Sequence, residues 1–146
     1  MPPAQLLGDI DERLATSRVE GVKHSIAEIV AHLNFWQRWF LKRVKGEAEP
    51  MATSAAVGWP PVEAGSWEAL REEFIAGMQQ VADYADDREF LRASVTPAIE
   101  FPPLADYTHQ DALIHVALHN SHHHGQVVTL RQVLGAWPGA AGSWTW

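Results

Sequence analysis

His115-Val116-Ala117-Leu118-His119-Asn120-Ser121-His122-His123-His124-Gly125-Gln126-Val127 is the stretch on which the reading of this chain turns. Extended on both sides, it puts Ala112, Val116, His119, His123, Val127, Leu130 and Leu134 at spacings of four and three, as a helix with one buried stripe requires. Two of these seven inward positions are histidine. His119 and His123 stand at i and i+4, about one turn apart on one face and close enough to share a metal ion. Two imidazoles left unpartnered in an apolar stripe would cost several kcal/mol, so a metal or a hydrogen-bond network must hold them.

Six of the eight histidines fall between positions 109 and 124. The run is internal, interrupted and set in an apolar helical pattern, which is not how a purification tag reads. His122 and His124 fall off the stripe and read as hydrogen-bonding or surface positions. His115, one turn before His119, reads as lining the mouth of a site or supporting it, and His109, in the first turn, reads as exposed. Gln126 is placed either to orient a ligand or as a polar flank.

Working outward, Thr108-His109-Gln110-Asp111 is a capping box at the head of this last helix, which ends at Gly135. Ser25-Ile26-Ala27-Glu28 repeats that logic for a helix running to about Lys45, with Ile26, Ile29, Leu33, Trp36, Phe40 and Val44 as its stripe. Phe35 and Trp39 join Trp36 and Phe40 as core packing rather than a stacking platform. Ser66 caps a third long helix with Leu70, Phe74, Met78 and Val81 inward, fading near Asp86-Asp87. A weaker first helix spans Ala4 to Thr16. The connectors on either side of the third helix are long and rich in Pro and Gly, with Trp59 and Val62 as anchors in the first. The expected fold is all-α, a four-helix bundle in a single domain over residues 1–146.

Composition sets the outer limits. The chain has 146 residues, a formal charge of −7 and no Cys. A domain of this length buries a sizeable core without disulfides. Absence of Cys removes thiolate metal sites, iron–sulfur clusters and a cysteine nucleophile, so any thiol must arrive with a ligand. The acidic balance argues against nucleic acid as a partner. The N-terminus lacks a basic segment followed by an apolar one, and nowhere do 18 apolar residues run together, so a cytoplasmic protein with no membrane partner is expected.

A third ligand beside His119 and His123 strengthens the metal reading over the hydrogen-bond network, and the second helix supplies one candidate. His32 flanks the second stripe between Ile29 and Trp36, whereas His24 precedes the cap and reads as solvated. Three imidazoles with an open position make a site of catalytic rather than closed structural type.

Ser25-Ile26-Ala27-Glu28-Ile29-Val30-Ala31-His32-Leu33 resembles the second-helix signature of the DinB/YfiT-like metal-binding four-helix proteins. His119-Asn120-Ser121-His122-His123-His124-Gly125-Gln126 is similar to that family's H-x-x-H-H-R-G-Q segment, and Leu130-Arg131-Gln132-Val133-Leu134-Gly135 to the helix ending after it. The resemblance implies that His32, His119 and His123 are the metal-ligand positions, for a divalent ion with zinc first and nickel as the alternative. His124 stands where the family more often has Arg, which leaves specificity open. The resemblance also implies a small-molecule substrate and a low-molecular-weight thiol as cosubstrate, since relatives include thiol-dependent S-transferases and a mycothiol-dependent isomerase. A metal-dependent S-transferase acting on a small electrophile is the first expectation. A metal-dependent hydrolase of a small ester or amide is the alternative, as is a non-catalytic binding or stress-response module stapled by its metal. No catalytic base can be named. Leu113, Ile114 and Leu118, apolar outside the stripe, suit a homodimer.

Overall fold

A computed structural model describes residues 2–140 and 142, so Trp144 and Trp146 of the tail lie outside the described residues. Six α-helices follow in chain order: α1 (Pro3–Leu7), α2 (Glu12–Thr16), α3 (Ile26–Val44), α4 (Trp67–Ala85), α5 (Arg88–Arg92) and α6 (His109–Val133). Among the described residues the only β-type pairing is an isolated bridge between Ser94 and Thr108. The protein is all-α, and α3 packs against both α4 and α6. No helix among the described residues is long and apolar enough to cross a membrane.

Both capping boxes form. Ser25 Oγ accepts from the Glu28 N–H at 3.3 Å while the Glu28 carboxylate accepts from the Ser25 N–H at 2.9 Å. Thr108 and Asp111 do the same at the head of α6. Each pair satisfies two N–H groups that the helix geometry leaves unpaired.

The N-terminal segment departs from the expected single helix over Ala4–Thr16. Asp11 caps a new start, its carboxylate accepting from the Leu14 N–H at 2.7 Å, so the chain turns after Leu7 and restarts as α2. The break serves tertiary contacts. Glu12, first residue of α2, accepts from the backbone N–H groups of Gly65 and Trp67 at 2.9 and 3.0 Å. Ser66 occupies the N-cap position of α4 as expected, but its hydroxyl donates to the Glu63 carbonyl; the orphan N–H of α4 is satisfied by α2 instead. The second long connector also holds more order than its composition suggests, because Asp87 caps the extra helix α5.

Two buried arginines tie down the irregular segments. Arg131, 1% exposed, ion-pairs with Asp9 at 2.9 Å and donates to the Leu6 and Ala136 carbonyls, fastening α1 to the end of α6. Arg43 donates to the Glu47, Glu49, Pro97 and Ala98 carbonyls, gathering the two connectors that flank α4. The core has two apolar clusters. One joins Leu6, Ile26, Val30, Leu33, Phe74 and Val127, and the other joins Trp39, Phe40, Val44, Val81 and Val116. Burying one such side chain contributes about 1.5–3 kcal/mol. Between the clusters, α3 and α6 present polar side chains to the interior: His32, Asn34 and Gln37 from one, Asn120 and His123 from the other. Leu113, expected to be free for a partner, is buried within the chain.

Candidate metal centre

The capping box at Ser25 sets the phase of α3, and the one at Thr108 sets that of α6. With those phases His32 meets His119 and His123 across the helix interface. One ring nitrogen from each lies within 4.8 Å of the other two. His32 Nε2 is 3.1 Å from His119 Nε2. Tetrahedral coordination at about 2.0–2.1 Å places donor atoms roughly 3.4 Å apart, so one edge of such a site is nearly in place.

The outward nitrogens are anchored for two of the three rings. His32 Nδ1 lies 2.6 Å from the Gly58 carbonyl oxygen, which can only accept, so Nδ1 carries the proton and Nε2 keeps its lone pair. His123 Nδ1 donates to Gln126 Oε1 at 2.7 Å, with the same consequence. His119 has no such anchor among the described residues. Facing the lone pair of His32, its Nε2 carries the proton in the metal-free protein. Its coordination to an ion requires the other tautomer.

Flat rings enclose His32. Trp59 stacks on it at 3.8 Å between centroids and 8° between planes, and His24 stacks on the far face of the same indole region at 3.7 Å. His24 is therefore packed on the indole that covers His32 rather than standing free in solvent. Gly58 and Trp59 belong to a 3₁₀ turn and its cap in the first long connector, which lies over α3. A Cβ at Gly58 would sit 2.8 Å from Trp36 Nε1, so only glycine lets this backbone come down onto α3 and reach His32.

Electrostatics favour ligation. Burial holds His32 down to about 4, against the opposing hydrogen bond from Gly58. Burial, and then His123 and His32 beside it, lowers His119 to about 4. His123 is also lowered, by burial first, its bond to Gln126 opposing. All three rings are neutral at pH 7, the form in which imidazole binds metal. The residues present thus fit a divalent ion.

The remaining histidines separate. His122 is exposed and accepts from the Gln126 amide at 3.3 Å. His124 faces α4, edge-on to the Phe74 ring at 5.6 Å, with its Nε2 buried and unpartnered. His109 leans on Phe90 at 4.2 Å instead of standing free. His115 accepts or donates through Nδ1 to the Tyr107 hydroxyl at 3.1 Å and, like His119, borders a cavity of about 440 Å³. The Gly58 carbonyl and the Trp59 stack escaped the sequence reading; its one signal was Trp59 as an apolar anchor in a loop of unusual length.

A family model described as the DinB superfamily matches residues 4–127 of this chain. No curated protein and no solved structure matched it.

Proposed function

The chain belongs to the DinB superfamily, and on that premise we propose that it is a metal-dependent enzyme which activates a low-molecular-weight thiol for transfer to a small electrophile. His32, His119 and His123 hold the ion, zinc first and nickel as the alternative. The donor set carries this reading: three neutral imidazoles converge, and no fourth His, Cys, Asp or Glu joins them among the described residues. A coordination position is left for an exogenous ligand. A divalent ion there supplies one thing, a lowered pKa for a thiol or water beside it.

The chain's own residues do the positioning. The Gly58 carbonyl and Gln126 Oε1 keep the protons of His32 and His123 on their outer nitrogens, so the inner lone pairs stay available. Trp59 covers one face of His32, and His24 stacks on Trp59 in turn. In the transfer, the cosubstrate's S–H proton goes to solvent, its sulfur bonds to the electrophilic carbon, and the leaving group departs with the electron pair of the broken bond. The absence of Cys is in keeping with a nucleophile that arrives from outside. Ile114 and Leu118, 47% and 67% exposed, support a homodimer as part of the same reading.

The test is loss of a small alkylating electrophile with and without added thiol, using zinc-loaded protein. Thiol-dependent turnover in wild type and none in His123→Ala is expected. Ester or amide hydrolysis without thiol would replace the reading with a hydrolase. A large fall in melting temperature on chelation, with no turnover of either kind, would replace it with a metal-stapled module.

A further inference from the structure

His119 also borders a space unlike the polar centre. Trp36, Phe40, Met51, Phe101 and Leu104 line a half-open chamber of about 170 Å³, whose other lining residues are His115 and His119. An apolar cavity of about 150 Å³ accepts benzene, so this chamber, of similar volume and with walls mostly of aliphatic and aromatic carbon, has the size and chemistry for one six-membered ring. The walls are braced by aromatic contacts. Trp36 stands edge-on to Phe35 at 5.1 Å and to Trp39 at 6.0 Å, and Phe40 lies against the His115 ring at 4.7 Å.

Phe101 is 43% exposed although it lines the chamber, which marks its side as the rim. His115 and His119 also line the larger cavity, together with Tyr107, Asp111, Ile114 and Leu118. Tyr107 holds His115 by Nδ1 at 3.1 Å. The other nitrogen, Nε2, has no hydrogen-bond partner among the described residues. An oriented imidazole with one nitrogen unused, on the wall of an apolar chamber beside the metal centre, is a group that can pair with a polar substituent on a ring.

We infer that this chamber is the subsite for the body of the electrophile, and that the substrate class is a small compound carrying one aromatic ring or an aliphatic group of that size. His115 reads a polar substituent on it. The role as a substrate subsite rests on the proposed transferase reading; the binding of a ring does not.

The experiment is a fluorine NMR titration of zinc-loaded full-length protein with fluorobenzene and with 4-fluorophenol. Both are expected to bind saturably, at the about millimolar affinity of fragments, with 4-fluorophenol the tighter. Met51→Trp fills the chamber from the connector, and Phe101→Glu puts a carboxylate on its rim. Each is expected to weaken fluorobenzene binding about tenfold, with zinc content and helicity unchanged. His115→Phe is expected to keep fluorobenzene binding and erase the advantage of 4-fluorophenol. No saturable binding in wild type, or undiminished binding in both chamber variants, overturns the inference. Ring binding without thiol-dependent turnover would sink the transferase reading and leave the chamber standing. Turnover confined to ring-free electrophiles, with no ring bound, would do the reverse.

Discussion

His32, His119 and His123 bring three rings of one kind to the middle of the bundle, whereas Asn34, Gln37 and Asn120, their neighbours on the same two helices, bring amides that carry a donor and an acceptor each. The amides can answer one another. Asn34 donates to the Leu70 carbonyl at 2.8 Å, Gln37 to the Phe74 carbonyl at 3.2 Å, and Asn120 to Gln37 Oε1 at 3.2 Å and to Met78 Sδ at 2.9 Å. Donors are thus spent across α3, α4 and α6, with one carbonyl oxygen each on Asn34 and Asn120 left unpaired. His32 and His123 have spent their protons outward, on Gly58 and Gln126, and turn lone pairs inward, where His119 donates its one proton to His32. One proton cannot serve two lone pairs, so the inward lone pair of His123 is left over. A buried polar cluster that spends its donors on neighbouring helices holds them together; one whose acceptors converge asks for a cation.

The comparison breaks most sharply on His123→Ala. Metal by elemental analysis is expected to fall from about one ion per chain to near none, since two imidazoles do not make a three-ligand site. Asn120→Ala is expected to keep the metal and lose stability instead. Full metal content in His123→Ala would remove the distinction between the two clusters.

A smaller effect is expected outside the ligand set. Gln126→Leu deletes the acceptor that orients His123, and metal affinity by competition with a chelator should fall about 10–100-fold with stoichiometry intact. An unchanged affinity would mean that Gln126 is only a polar flank. Gly77→Ala tests the other cluster. A Cβ at Gly77 would lie 1.9 Å from Gln37 Nε2, so the substitution forces the amide network apart. It should destabilise by about 1–3 kcal/mol as overpacking does, a fall of about 2–4 °C per kcal/mol at this chain length. Metal content should not change.

A dependence on pH is also expected in metal-free protein. His32 and His119 are held at about 4 in the fold against an ordinary 6.5, so on acidification the unfolded chain takes up protons first. Their contribution is whole above about pH 6.5 and is lost progressively toward pH 4. The amides do not titrate, so a His119→Asn variant should show a shallower fall in melting temperature over that window than wild type. Equal slopes would show that the rings are as easily protonated in the fold as outside it.

Local pattern carried much of this architecture. The spacing of apolar residues and the two capping boxes located α3 and α6 within a residue or two, and the i, i+4 pair with His32 named the three rings that the fold brings together. The segment Ala4–Thr16 misled because its leucines keep helical spacing through Gly8 and Asp9. What breaks it is a set of remote partners, Arg131 for Asp9 and the start of α4 for Glu12. His24 misled for the same reason: nothing near it in the chain announces Trp59.

Helix phase, and with it the candidate ligand set, could be read from residue order because both depend on neighbours three and four positions away. The states of those ligands could not. His32 keeps its lone pair because of a carbonyl 26 residues along the chain, and every residue has a carbonyl, so no side-chain identity marks the one that comes within reach. The chamber beside His119 is of the same kind. Its walls come from α3, from both long connectors and from α6, and a void is a property of how distant surfaces fail to meet, which no stretch of sequence carries.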